Sequence, residues 1–260
     1  MNIGVFDSGI GGLVILKSLI EHMPHYDYVF FGDTKNVPYG GKTEKEIERL
    51  TQSNIDYLFG EENCALVLVA CNTASVHAVR VLQKKYPAQK ILGVIIPTIE
   101  EINGLDRVGI LATKRTVASR KYLKEIQKRF PRTKTFQKSA PKLVPMIEEG
   151  RYDEKILKGY ISYFLEKKVT TIVLGCTHYS ILKREIRSMV PKNIRILSQD
   201  EIIHRKLSLY LKKHKDIEQK LSQNNTRKLL VTKHTATIAT LAREWFGENK
   251  IIEIKKLLKN

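Results

Sequence analysis

Two apolar runs of this chain end alike: CALVLVAC (64–71) leads into NTAS, and TTIVLGC (170–176) leads into THYS. A near-continuous aliphatic run of this length is the pattern of a strand in a parallel sheet, because helices cover both faces and neither meets water. The cysteines that close the runs are 105 positions apart (176 − 71), and IGVFDS (3–8) aligns with VGILAT (108–113) at the same offset. Two strand-and-turn matches at one spacing predict an internal duplication. The fold class that follows is α/β, with two pseudo-symmetric domains, each a mostly parallel sheet flanked by helices.

Each half reads as alternating strands and helices. In the first, a strand at 3–6 is followed by the turn DSGIGG and a helix marked by Leu13, Leu16, Leu19 and Ile20. Strands are predicted at 28–33, 64–71 and 91–96, with helices at 43–58 and 73–86. In the second, strands are predicted at 107–113, 134–137, 170–176 and 194–197, with helices at 117–130, 153–167 and 181–189. LVPMIEEG (143–150) reads as a loop, and the tail as helices with one strand at 228–232. Ligands of open α/β sheets bind outside the carboxyl ends of the strands. Two such sheets with those ends together bring Cys71 and Cys176 into one cleft from opposite sides.

The residue types around that cleft limit the chemistry. Each cysteine precedes a predicted helix start, where free amides and the helix dipole favour a thiolate and lower its pKa. The same amides can receive a carboxylate. Cys64 lacks polar followers and reads as core filling. The glycines of DSGIGG let the backbone turn tightly and approach a ligand, while Asp7 can accept a proton or orient an ammonium group. The stretch does not give G-x-G-x-x-G and lacks a P-loop lysine, so nucleotide binding is disfavoured. His178 is placed to polarise the Cys176 thiol or hold substrate, and Glu148 to orient an amine or a histidine. No cysteine–histidine spacing suits zinc, so no metal is expected.

Charge and cysteine usage exclude further classes. Lys and Arg number 45 against 27 Asp and Glu, a formal net charge of +18. The cations are spread over segments such as 114–138 and 205–228 without aromatic interleaving, which argues against specific nucleic-acid recognition. A basic proteome or an anionic small substrate accounts for the same excess. No apolar segment approaches the roughly 20 residues of a membrane helix. The start MNIGVFDSG is not a secretion signal. Three cysteines are too few and too odd for a disulfide framework, so a reducing cytoplasm is expected.

FDSGIGG, GDTKNVPYG, ACNTAS and GCTHYS, in that order, closely resemble the cofactor-independent aspartate/glutamate racemase superfamily and, within it, the glutamate racemases. The resemblance covers essentially the whole chain. It implies a second domain (98–206) inserted into the first (1–97 plus 207–260), with the active site between them. It implies that Cys71 and Cys176 are the paired acid and base, assisted by Asp7, Glu148 and His178. Asp7, Ser8, Pro38, Tyr39, Gly40, Cys71, Asn72, Thr73, Thr113, Thr116, Cys176, Thr177 and His178 match substrate-holding positions. The implied activity interconverts L- and D-glutamate without cofactor, in a cytoplasmic homodimer that supplies D-glutamate for peptidoglycan. The implied roles give the first-domain thiol to D-glutamate and the second to L-glutamate. The chain departs from the resembled pattern at Asn36, where arginine is common, at Ser180, where proline is usual, and at Gln199, where a small residue is typical. Two rival readings remain: an aspartate or other amino-acid racemase, and a basic binding protein on a racemase scaffold.

Overall fold

The strands assemble in the order that the duplication requires. A computed structural model describes residues 1–247 and 251–253; the rest of the expected first domain lies outside the described residues. β1 (Asn2–Asp7), β2 (Tyr28–Gly32), β3 (Cys64–Val69) and β4 (Lys90–Gly93) belong to one sheet. β5 (Arg107–Ala112), β6 (Lys134–Ser139), β7 (Thr171–Gly175) and β8 (Arg195–Leu197) form a second. β9 (Arg227–Val231) and β10 (Ile252–Glu253) return to the first, giving the orders β10-β9-β2-β1-β3-β4 and β6-β5-β7-β8. All pairings are parallel. The order β2-β1-β3-β4 is repeated as β6-β5-β7-β8, and the register repeats too. Val5 pairs with Leu68 and Ile110 with Val173; Phe6 pairs with Val69 and Leu111 with Leu174. The spacing of 105 seen between the cysteines therefore holds residue by residue along the central strand pairs.

Burial explains the composition of these strands. β2, β3 and β7 are buried at every position, as expected where helices pack on both faces. One apolar core runs without a break from Val5, Ile10 and Leu16 of the first half to Leu111, Leu174 and Tyr179 of the second. The helices are started by side chains that satisfy their free amides. Thr43 and Glu46 form a reciprocal capping box at Glu44–Gly60. Asp153 caps Glu154–Glu166, and Thr113 caps Lys114–Ala118.

Several expected boundaries shift. The helix expected at 73–86 is two, Asn72–His77 and Val79–Lys85, and that expected at 117–130 is Lys114–Ala118 and Lys121–Arg129. The second break falls at Arg120, which adopts a left-handed φ of 56°. ILGVII leaves the sheet at Gly93, and Ile95–Glu100 is helical with Pro97 in its first turn, where a missing N–H costs nothing. LVPMIEEG is not a loop: Leu143–Glu148 is a helix, for the same reason at Pro145.

Gly109 lies in β5, where a methyl group would overlap the ring of Phe164. Gly109→Ala is expected to cost about 1–3 kcal/mol by overpacking. A lower urea midpoint at unchanged m-value checks this, and an unchanged midpoint would show that the ring steps aside.

Candidate active site

β1 delivers Asp7 and Ser8 to the junction of the halves. Asp7 is fully buried, and its carboxylate accepts from the Gly9 N–H at 2.9 Å and from the Thr177 hydroxyl at 3.0 Å. Ser8 Oγ lies 3.1 Å from Cys71 Sγ. Asp7 and Ser8, adjacent in sequence, thus reach Cys71 on one side and the neighbour of Cys176 on the other. The thiols share one electrostatic neighbourhood, since charge on Cys176 adds to what raises Cys71. The glycine turn, expected to let the backbone approach a ligand, lets it approach the other half. A Cβ on Gly11 would lie 2.5 Å from Thr177 Oγ1 and 2.6 Å from the His178 backbone nitrogen.

The two thiols differ. Cys71 sits at the start of helix Asn72–His77, and its sulfur accepts from the Ala74 N–H at 3.5 Å. The helix start was expected to lower its pKa. Instead burial, then the Asp7 charge, push the thiol up to about 12 against the hydrogen bonds from Ser8 and Ala74. A helix of six residues offers too little field to offset the lost hydration. Cys176 starts helix Thr177–Ile181 without a side-chain capping bond. Its sulfur lies 3.9 Å from His178 Nδ1, and His178 Nε2 lies 2.6 Å from Glu148 Oε1. That carboxylate oxygen also accepts from the Ile10 N–H at 2.9 Å, tying the pair to the glycine turn. Burial pulls the imidazole pKa down, but hydrogen bonds to Cys176 and Glu148 and the Glu148 charge outweigh it and hold it well above the ordinary value.

The remaining expected residues surround this cluster. Thr73 Oγ1 lies 3.0 Å from Thr113 Oγ1 and 3.3 Å from Thr116 Oγ1, a hydroxyl triangle across the halves. Gly40 packs against the same Thr113 so closely that a Cβ would lie 2.7 Å from it. The Tyr39 phenol donates to Asp33 at 2.6 Å; burial first, then that carboxylate, hold its pKa well above the ordinary value. Pro38 lies outside the cluster, on the exposed edge of the same loop. Asp33, Tyr122 and Gln199 were not anticipated as partners of site residues. Asp33 also accepts from Asn36 and Thr232, and its place at the carboxyl end of β2 was the available signal.

Asp7, Ser8, Cys71, Asn72, Thr73, Cys176, Thr177 and His178 are all buried. A cleft of about 880 Å³ opens elsewhere, between helices of both halves, and is lined by Ser75, His77, Lys121 and Lys206. Among the described residues no group of three or more His, Cys, Asp or Glu side chains could hold a metal ion.

Two thiols from duplicated strand ends thus share one buried cluster with the Asp7 carboxylate and the His178–Glu148 pair. The family model for Asp/Glu/Hydantoin racemases matches residues 14–201, and the chain belongs to that family. It is 34% identical to the glutamate racemase of Persephonella marina over 99% of this chain and 97% of that one. The glutamate racemase of Francisella tularensis, solved in complex with D-glutamate, superimposes with a TM-score of 0.87 at 29% identity, covering 98% of this chain and 97% of that one. The Thermus thermophilus glutamate racemase, solved with beta-chloro-D-alanine, gives 0.81 at 31% identity over 97% and 96%.

Glu148→Gln keeps the shape of the His178 partner and removes its charge. The imidazole midpoint, followed by NMR titration, is expected to fall, because burial then meets less opposition. An unmoved midpoint would show that Glu148 does not hold the proton on the ring.

Proposed function

We propose that this protein is a glutamate racemase that moves the α-proton between substrate and the thiols Cys71 and Cys176, supplying D-glutamate for peptidoglycan. One observation carries the reading. Two free cysteines, equivalent under the duplication, share a single buried cluster with Asp7, Glu148 and His178. Removing hydrogen from one face of a carbon and delivering it to the other needs a group on each side. Cys71, held as a neutral thiol, is poised to donate; Cys176, beside the His178–Glu148 pair, is poised to accept. This direction makes D-glutamate from L-glutamate, and the reverse requires Cys71 as thiolate.

Asp7 faces the substrate ammonium in this reading. Ser8, Tyr39, Gly40, Asn72, Thr73, Thr113, Thr116 and Thr177 hold the carboxylates and exclude water. An α-carbon is a far weaker acid than a thiol, so close positioning and fixed donors around the developing charge supply most of the difference. The domains run 1–97 with 207–260, and 98–206. The enzyme acts as a homodimer in the cytoplasm; no helix among the described residues is long and apolar enough to cross a membrane.

Circular dichroism of purified protein with each enantiomer of glutamate and of aspartate tests the substrate. Turnover of aspartate alone would replace glutamate, and turnover of neither, with retained affinity for DNA, would favour a binding protein. Cys71→Ser and Cys176→Ser are each expected to lower racemisation by several orders of magnitude, and wild-type turnover in D₂O should place deuterium at the α-carbon. Product that kept its original hydrogen would rule out exchange with the thiols.

The free enzyme supplies a pH signature. Burial raises the Asp7 carboxyl to about 6, with the His178 charge opposing. An ammonium substrate needs that group ionised, so kcat/KM should fall as pH drops through about 6. His178 stays protonated across this range. Asp7→Asn should lose the limb along with most activity; a limb that survives belongs to another group.

A further inference from the structure

A pair of buried amides beside Cys71 has no part in the proton transfer. Gln199, between β8 and helix Asp200–Lys213, is fully buried, and Asn72 is 1% exposed. Asn72 Nδ2 donates to Gln199 Oε1 at 2.8 Å, and Gln199 Nε2 donates back to Asn72 Oδ1 at 2.7 Å. The Tyr122 hydroxyl donates to the same Asn72 Oδ1 at 2.8 Å, and Gln199 Nε2 also reaches Thr98 Oγ1 at 3.5 Å.

The origins of these groups matter as much as the distances. Thr98 lies on the helix that carries the chain from the first sheet to the second, and Gln199 on the connection that carries it back. Tyr122 belongs to helix Lys121–Arg129 of the second half. The returning crossing, through Gln199, and a second-half helix, through Tyr122, therefore close on one side chain of the first half, next to Cys71, and the outgoing crossing is tied to Gln199 through Thr98. The bonding also decides what Asn72 has left to offer. A carbonyl oxygen has two lone pairs, and Asn72 Oδ1 spends them on Gln199 and Tyr122. The amide nitrogen has two hydrogens and spends one. Asn72 is left a single N–H donor with its torsions already fixed, which suits a carboxylate oxygen and refuses an ammonium group.

We infer that Gln199 is a positioning residue that acts through Asn72, holding it across the joined halves as a one-donor contact for a substrate carboxylate. This rests on the racemase reading above. Orienting Asn72 before substrate arrives removes an ordering cost from binding. Its loss falls on KM, since the contact serves ground and transition states alike.

Gln199→Ala is expected to raise KM roughly tenfold or more, the scale of one hydrogen bond to a charged group, with a smaller change in kcat. In the Asn72→Ala background the same substitution should add little, because the group it positions is gone. Tyr122→Phe, which removes one donor to Asn72 and keeps the ring, should raise KM less. Gln199→Glu, which keeps the acceptor and loses the donor, should behave like Gln199→Ala. The last two variants decide the matter if the alanine variant does not fold. All are measured on whichever amino acid the wild-type enzyme turns over. A folded Gln199→Ala enzyme with KM within about twofold of wild type, or fully additive losses in the double variant, overturns the inference. Wild-type protein that racemises neither glutamate nor aspartate removes the reading beneath it instead.

Discussion

Asp7 surrenders its hydration to sit at the junction of the halves, and two protein donors, one from each half, take the place of water. The exchange is incomplete, which is why the carboxyl is raised to about 6. An unfolded aspartate titrates near 3.9, so between about pH 4 and pH 6 the unfolded chain loses this proton first. The folded state gives up stability across that window, by roughly 3 kcal/mol in all, and does not recover it at higher pH. A cation docked against the carboxylate reverses the sign.

The duplication delivers identical thiols but not identical surroundings. Cys71 is flanked by a hydroxyl and a carboxylate, and Cys176 by an imidazole held by a carboxylate. Enantiomers have equal energy in water, so any inequality between the two directions must be made by the protein. The surroundings that differ are Ser8 and Asp7 on one side and His178 with Glu148 on the other.

The parts of this arrangement that were legible in the sequence are those carried by runs of side chains. The strands, their parallel packing and the spacing of 105 rest on hydrophobic patterns several residues long, and the register extends them. What escaped depends on single residues. Arg120 breaks a helix by one backbone angle, and Pro145 sits in the first turn of one where a loop was expected. The Cys71 pKa turned on burial beside a carboxylate seven residues into the chain, a tertiary fact that no local motif encodes. Gln199 is legible only once the chain crossing brings it to Asn72.

The late return of β9 to the first sheet has a consequence for synthesis. β2, YVFFG, is buried throughout, yet one of its edges is covered only by residues 227–231. At about 5–20 residues per second, that edge emerges from the ribosome roughly 10–40 s before its cover. During this interval an apolar strand with unmatched backbone groups is open to any neighbouring chain. Nascent copies of this protein on one messenger are therefore open to joining each other at Tyr28–Gly32, and a delay in translating the stretch that leads up to Val231 prolongs the danger.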